Sequence, residues 1–265
     1  IAPGQITCIL ATLIYCGVMF LLAVVRLVLL ALGLVLLSVV ATIGCLLRPF
    51  HSNNVHLASM VLGRFSKIIG LEVEIRMPDS VKDLGPAVYI ANHQNNYDLF
   101  TISGAVPKNT VSVGKKSLKW IPFFGQMYWL TGNILIDRKN SSKAMNTIAV
   151  TASKIREKKL SVWLFPEGTR SNGRGLLPFK TGAFRTAAQA DVPVVPVCVS
   201  NLYGVVKLNR WNNGKMIIEF QEPIELDCDK RESIRLLAEE VRGQMLERIN
   251  EISHEVGTEL PQANK

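Results

Sequence analysis

The sequence predicts an α/β domain, with a mixed and partly parallel sheet flanked by helices, behind an N-terminal hydrophobic helical membrane anchor. Three observations carry this. Two uncharged apolar runs fill the first fifty residues. From residue 70 onward, short β-branched runs alternate with helical patterns. The last long segment is one clean amphipathic stripe. A chain of 265 residues suffices for one domain and an appendage, and no internal repeat, low-complexity tract or linker breaks it. The expected division is anchor over 1–50, folded domain over 51–256 and flexible tail over 257–265.

In the anchor, Ile6 to Val25 and Leu27 to Leu47 carry no charge, and Arg26 alone separates them. A helix of about 20 residues spans roughly 30 Å, one hydrocarbon core. The second run is apolar all round, as a lipid-buried helix is. A secretory signal is disfavoured, because the apolar stretch is too long and no basic segment precedes it. Two arrangements stay open. The runs form a hairpin, although the junction lacks turn residues, or only the second run is the anchor. Met19 would make a natural start before Arg26, so residues 1–18 are expected to be an upstream extension absent from the mature protein. A peptide from residues 1–18, found by mass spectrometry of the native protein, would refute this. Arg48, Arg64 and Lys67 follow the anchor and no cation precedes Arg26, so the domain is expected to face the cytoplasm from the inner membrane. Val55, Leu62 and Ile69 recur at helical spacing beside those cations. They belong either to a helix lying at lipid head groups or to one facing the core.

In the domain, Val73 to Arg76 and Ala87 to Ala91 read as strands, and Phe100 to Ala105 begins a helix. Thr110 to Val113 and Ile134 to Ile136 are short strands, and Ser141 caps a helix to about Lys158. Val162 to Phe165 is a buried strand. A helix opens at Thr181 and closes by Ala190, before the strand Val194 to Val199; Met216 to Phe220 is the last strand. Ile234, Leu237, Val241, Met245, Ile249 and Ile252 make the apolar stripe of the C-terminal helix.

Composition narrows the function. Mean hydropathy is +0.23, and its excess lies in the first fifty residues. The net charge of +9 favours anionic partners such as phospholipid head groups, phosphorylated substrates or an acidic carrier protein. Nucleic acid is disfavoured, for there is no zinc-finger spacing and no base-reading basic helix. The five cysteines, Cys8, Cys16, Cys45, Cys198 and Cys228, form no Cys-x-x-Cys pair. They are expected to be small buried hydrophobes in a reducing compartment, with no nucleophile or metal ligand among them.

Three segments could carry chemistry. In the first, an apolar strand gives way at Asn92 to a polar stretch with His93 and Asp98 five apart. At a strand end the carboxylate can fold back to the imidazole, giving a general base for a substrate hydroxyl. The same two residues can equally be a loop histidine and an N-cap. The second is Phe165-Pro166-Glu167-Gly168-Thr169-Arg170-Ser171, directly after a strand. It sets Arg170 where α/β folds bind ligands, able to grip phosphate with two parallel hydrogen bonds. Arg174 and Lys180 add charge downstream, and Glu167 could orient Arg170 or the loop. The third, Gly114 to Gly125, runs from Lys115, Lys116 and Lys119 into Trp120-Ile121-Pro122-Phe123-Phe124. It is a phosphate cradle beside an acyl-chain wall, a lipid-dipping loop with Trp120 and Trp129 at head-group level, or both. A P-loop, a dinucleotide fingerprint and a serine-hydrolase elbow all fail on spacing.

Taken together and in order, the His-(four residues)-Asp box, GKKSLKWIPFFG, FPEGTRS and VPVVPV closely resemble the glycerolipid acyltransferase family, from about residue 20 to the end of the C-terminal helix. The resemblance implies a glycerolipid-acyltransferase-like fold and a reaction. Acyl-CoA or acyl-carrier-protein gives a fatty acyl chain to the sn-2 hydroxyl of lysophosphatidate, without a covalent acyl-enzyme. It implies His93 as general base and Asp98 as its orienting partner. Glu167, Gly168, Thr169 and Arg170 would bind the acceptor, with Arg170 and Lys116 on its phosphate and Arg138 a weaker candidate. The Ile121 to Phe124 stretch would line the acyl path, and membrane phospholipid is the expected surface. A thioester is already activated, so no metal or other cofactor is expected. Backbone amides near the His93 loop are the expected oxyanion donors.

Overall fold

A computed structural model describes residues 3–136, 141–226 and 231–261. Arg138, Cys228 and the last four residues of the expected tail lie outside them.

The two apolar runs form one helix, α1 (Pro3–Leu47), rather than a hairpin. With no glycine, proline or polar turn around Arg26, nothing stops helix propagation. Beyond Arg26, one stripe of α1 faces the domain: Leu30, Ser38 and Cys45 are buried, while Leu27, Leu32, Leu36, Val40 and Leu47 are exposed. Arg26 itself is only 5% exposed. Its guanidinium donates to the carbonyls of Leu208 (3.0 Å), Trp211 (2.8 Å) and Arg210. A buried cation costs free energy unless its donors are met, and three carbonyls meet them here. Gly70, at φ +70°, makes the junction possible, because a β-carbon there would run into Trp211 O.

Helix α2 (Asn53–Gly63) turns Val55 and Leu62 into the core, and Ile69 beyond it is fully buried. Of the two readings of that periodicity, packing holds. The outer face of α2 instead carries Leu57, Met60 and Val61.

The domain is a seven-stranded sheet: β1 (Glu72–Arg76), β2 (Val88–Ala91), β3 (Thr110–Lys115), β4 (Ile134–Ile136), β5 (Ser161–Leu164), β6 (Val194–Val199) and β7 (Lys215–Phe220). Its order is β1-β7-β6-β2-β5-β3-β4. Every pairing is parallel except β6 with β7, so the sheet is mixed, as expected. Strands β2 and β6 are buried at every position, which suits continuous apolar runs in a covered parallel sheet. Pro196 sits inside β6 where a donor would be missed. Its carbonyl accepts Gln221 N (2.8 Å) just before the ladder to β7 begins at Val197, so the β2 side loses no bond.

The crossovers are α3 (Asp79–Lys82), α4 (Asp98–Thr101) with a 3-10 turn to Ala105, α5 (Phe124–Leu130), α6 (Ser141–Lys158) and α7 (Gly182–Ala190). The last helix is α8 (Arg231–Glu255). Val241, Met245, Ile249 and Ile252 of α8 are almost wholly buried in the same core as β6 and β7, while its Leu236 is exposed. Cys45 and Cys198 are buried, but Cys16 is exposed on α1. A thiol on an apolar helix surface is hydrophobic without being packed.

Candidate active site

Strands β2, β5 and β3 run parallel and lie side by side, so their carboxyl ends share one edge of the sheet. The three segments singled out in the sequence leave from that edge. The His93 loop follows β2, the Glu167–Arg170 loop follows β5, and the Lys116 segment continues β3 as a 3-10 turn (Lys116–Trp120).

His93 and Asp98 meet. His93 Nδ1 donates to Asp98 Oδ2 at 2.6 Å. That oxygen also accepts Gln94 N (2.7 Å) and Asn95 N (3.2 Å). A carboxylate on Nδ1 places the ring proton there and leaves the Nε2 lone pair for a substrate. The His93 side chain is 17% exposed, that of Asp98 3%. Asp98 does not act as an N-cap. It opens α4 and its carboxylate reaches back to upstream amides, because the loop returns on itself after Asn95. Among the described residues Asp98 Oδ1 is the buried side-chain oxygen without a partner. The imidazole also stacks on Phe165, with ring centroids 4.0 Å apart.

Two residues the sequence reading passed over fix the loop. Asn92 pairs with the backbone of Val199, donating to its carbonyl (3.0 Å) and accepting its N–H (2.9 Å). Gln94 donates to Ser200 O (2.7 Å) and accepts Leu202 N (2.7 Å). The available signal was alternation: in extended chain, 92 and 94 share a side and 93 takes the other.

Glu167 is 3% exposed. Its carboxylate accepts His93 N (2.6 Å) on one oxygen and Leu177 N (2.9 Å) on the other. Burial pushes its carboxyl up to about 7; the two backbone donors oppose this and the charge of Asp98 adds to it. The next turn is stitched to the same loop, Ser171 N donating to His93 O (2.8 Å) and Asn172 N to Gln94 O (2.9 Å). The amides of His93, Gln94 and Asn95 are therefore engaged inside the protein, and Tyr97 N is bound to Asn95 Oδ1 (2.8 Å). These four amides are not free to meet an oxyanion.

The cations are arranged differently. Thr169 and Arg170 are exposed, with no ion pair to Arg170 among the described residues. Gly168, at φ +71°, turns the chain against the Lys180 stem. Arg174 is committed to its own turn, donating to Ser171 O (2.8 Å) and Arg170 O (2.9 Å). Lys116 lines a separate cavity of about 650 Å³ with Lys119, Trp120, Gln126 and Trp129. Neither Arg170 nor His93 is among the residues that line that cavity. Trp120 is 76% exposed, and Ile121, Phe123 and Trp129 are also exposed. Trp120 and Trp129 line that cavity and also contribute to the exposed surface. Phe50, just past α1, packs edge-on against Trp129 at 5.2 Å and extends this apolar surface.

Comparison with known proteins gives the arrangement a context. A family model described as Acyltransferase matches residues 72–200. A Salmonella typhimurium protein named 1-acyl-sn-glycerol-3-phosphate acyltransferase is 48% identical over 231 residues, covering 87% of this chain and 94% of that one. A Haemophilus influenzae protein of the same name is 47% identical over 235 residues, covering 89% and 98%. The crystal structure of a 1-acyl-sn-glycerophosphate (LPA) acyltransferase from Thermotoga maritima superposes with a TM-score of 0.68 at 20% identity, covering 87% of this chain and 97% of that one, a likeness of fold.

Proposed function

The chain belongs to the 1-acyl-sn-glycerol-3-phosphate acyltransferase family, and from that premise we propose that it moves a fatty acyl group from a thioester, on CoA or on acyl-carrier-protein, to the sn-2 hydroxyl of 1-acylglycerol 3-phosphate, forming phosphatidate for phospholipid synthesis. The observation that carries this is the His93 Nδ1–Asp98 Oδ2 bond at 2.6 Å, with Nε2 left open at the carboxyl end of β2.

The proton accounting is short. His93 Nε2 takes the hydroxyl proton as the acceptor oxygen attacks the thioester carbonyl. Asp98 stabilises the imidazolium that results. The tetrahedral intermediate collapses, the C–S bond breaks, and the imidazolium returns its proton to the leaving thiolate. No acyl-enzyme forms. Arg170 is the group for the acceptor phosphate, because its fork is exposed and, among the described residues, unpaired beside the loop that holds His93. Lys116 and Arg138 remain proposals for the same charge, as do Gly168 and Thr169 for the glycerol.

The acceptor is a lipid, so the site must work at a bilayer. Helix α1 has a span of 36 residues, Thr12–Leu47, apolar enough to lie in hydrocarbon. The outward surface near its end, Leu47, Phe50, Trp120, Ile121, Phe123 and Trp129, has the aromatic character of a head-group zone. With Arg48, Arg64 and Lys67 nearby, the domain faces the cytoplasm from the inner membrane of a bacterium.

The test is a transfer assay on purified protein with labelled lysophosphatidate and, in turn, each thioester donor. Labelled phosphatidate from the parent and none from His93→Ala is the expected result. Absence of product with both donors, or transfer only to glycerol 3-phosphate or another lysophospholipid, would remove this reading.

A further inference from the structure

We propose that Glu167 is a positioning residue of the transfer: its carboxylate ties the His93 peptide to Leu177 and so sets where Nε2 stands, and it does not touch the acceptor. The proposal rests on His93 being the base.

The placement leaves the carboxylate no room for a lipid acceptor, because the cavity it lines holds only about 10 Å³. It is 3% exposed, and each oxygen already accepts a backbone N–H. What it holds is the base. His93 is restrained at its N–H by Glu167, at its carbonyl by Ser171 N, at Nδ1 by Asp98 and at its ring face by Phe165. Phe165 and Glu167 lie two apart in the segment leaving β5. One supports the ring and the other the backbone of the same residue. The second oxygen, on Leu177 N, closes the loop 167–177 that contains Arg170. Asp98 governs the ring through its proton, while Glu167 governs the peptide that carries the ring. A reacting atom displaced by about 1 Å costs on the order of 10²-fold in rate.

The test compares parent, Glu167→Gln and Glu167→Asp in steady-state kinetics, varying donor and acceptor separately. It adds ¹⁵N spectra of histidine-labelled protein. The four histidines give few signals, and His93→Ala assigns the one that matters. Gln keeps the size but sets an NH₂ against a backbone N–H. Asp keeps the charge but is one methylene too short for both amides, and it replaces Gln if that variant does not fold. The expected result is kcat lower by about 10²-fold for Gln and less for Asp, acceptor KM within about threefold of the parent, and a shifted His93 ring signal. An acceptor KM raised tenfold or more with kcat held and the ring signal unmoved would overturn the proposal in favour of acceptor binding. Unchanged kcat would overturn it too. If the parent itself fails to acylate lysophosphatidate, the functional reading fails, and the His93 signal alone decides the role of Glu167: shifted supports it, unshifted overturns it.

Discussion

The loop after β2 and the segment after β3 leave the same edge of the sheet and are built on opposite terms. Around His93 nearly every polar group is engaged. Asp98 Oδ2 takes three donors, Glu167 two, and Asn92 and Gln94 hold the loop to residues 199–202. Around Lys116 and Trp120 the side chains are exposed, and Lys119 merely lies over the Trp120 ring at 4.5 Å. A base must hold its geometry to a few tenths of an ångström. A cation that meets an incoming phosphate gains from a long mobile stem. The difference separates the residues that should govern kcat from those that should govern KM.

That division can be broken in order of size. His93→Ala should lower kcat by about 10⁴-fold with an unchanged circular dichroism spectrum; near-normal turnover would abolish the division at its root. Asp98→Asn should cost roughly 10³-fold, since the amide no longer fixes the tautomer and presents donors to the Gln94 and Asn95 amides. Arg170→Ala should raise the acceptor KM about 10- to 100-fold, as loss of a charge-assisted pair does, and leave the donor KM alone. If the donor KM moves instead, Arg170 belongs to the other substrate. Lys116→Gln should change the acceptor KM only a few-fold, as for an exposed cation, and that small change should vanish at high salt.

The rigid loop also carries a pH signature. The Glu167 carboxyl stands at about 7 against an ordinary 4.5, so the folded protein holds its proton longer than the unfolded chain. Its share of stability is present below pH 4.5 and lost as pH rises toward 7, roughly 3 kcal/mol in all. Thermal melts of parent and Glu167→Gln across that range should diverge accordingly. Parallel curves would mean that Glu167 is ionised throughout.

Much of this was legible in the sequence because it is local. The strands of the sheet and the stripe of α8 follow from periodicity; the five-residue spacing of His93 and Asp98 fits a base or a loop histidine with a cap, and only the ordered set of motifs, by its family resemblance, favours the base. What escaped is non-local or overrides a local preference. The partners of Glu167 lie 74 residues before and 10 after it, and those of Asn92 and Gln94 lie more than 100 away, so no pattern announces them. Asp98 had the propensity of a cap, but three upstream donors outbid one helix end. Val55, Leu62 and Ile69 carried a period that fits lipid or core equally, and only packing decided.

The arginine in α1 has a consequence for how the protein is made. Arg26 leaves the ribosome 182 to 185 residues ahead of the carbonyls that receive it. A buried guanidinium without partners is costly, so the helix settles along its final flank only once the chain past Trp211 has been synthesised and folded. Any fragment ending before that point leaves Arg26 without the three carbonyls that meet its donors, so the seating of α1 on the domain waits for that part of the chain.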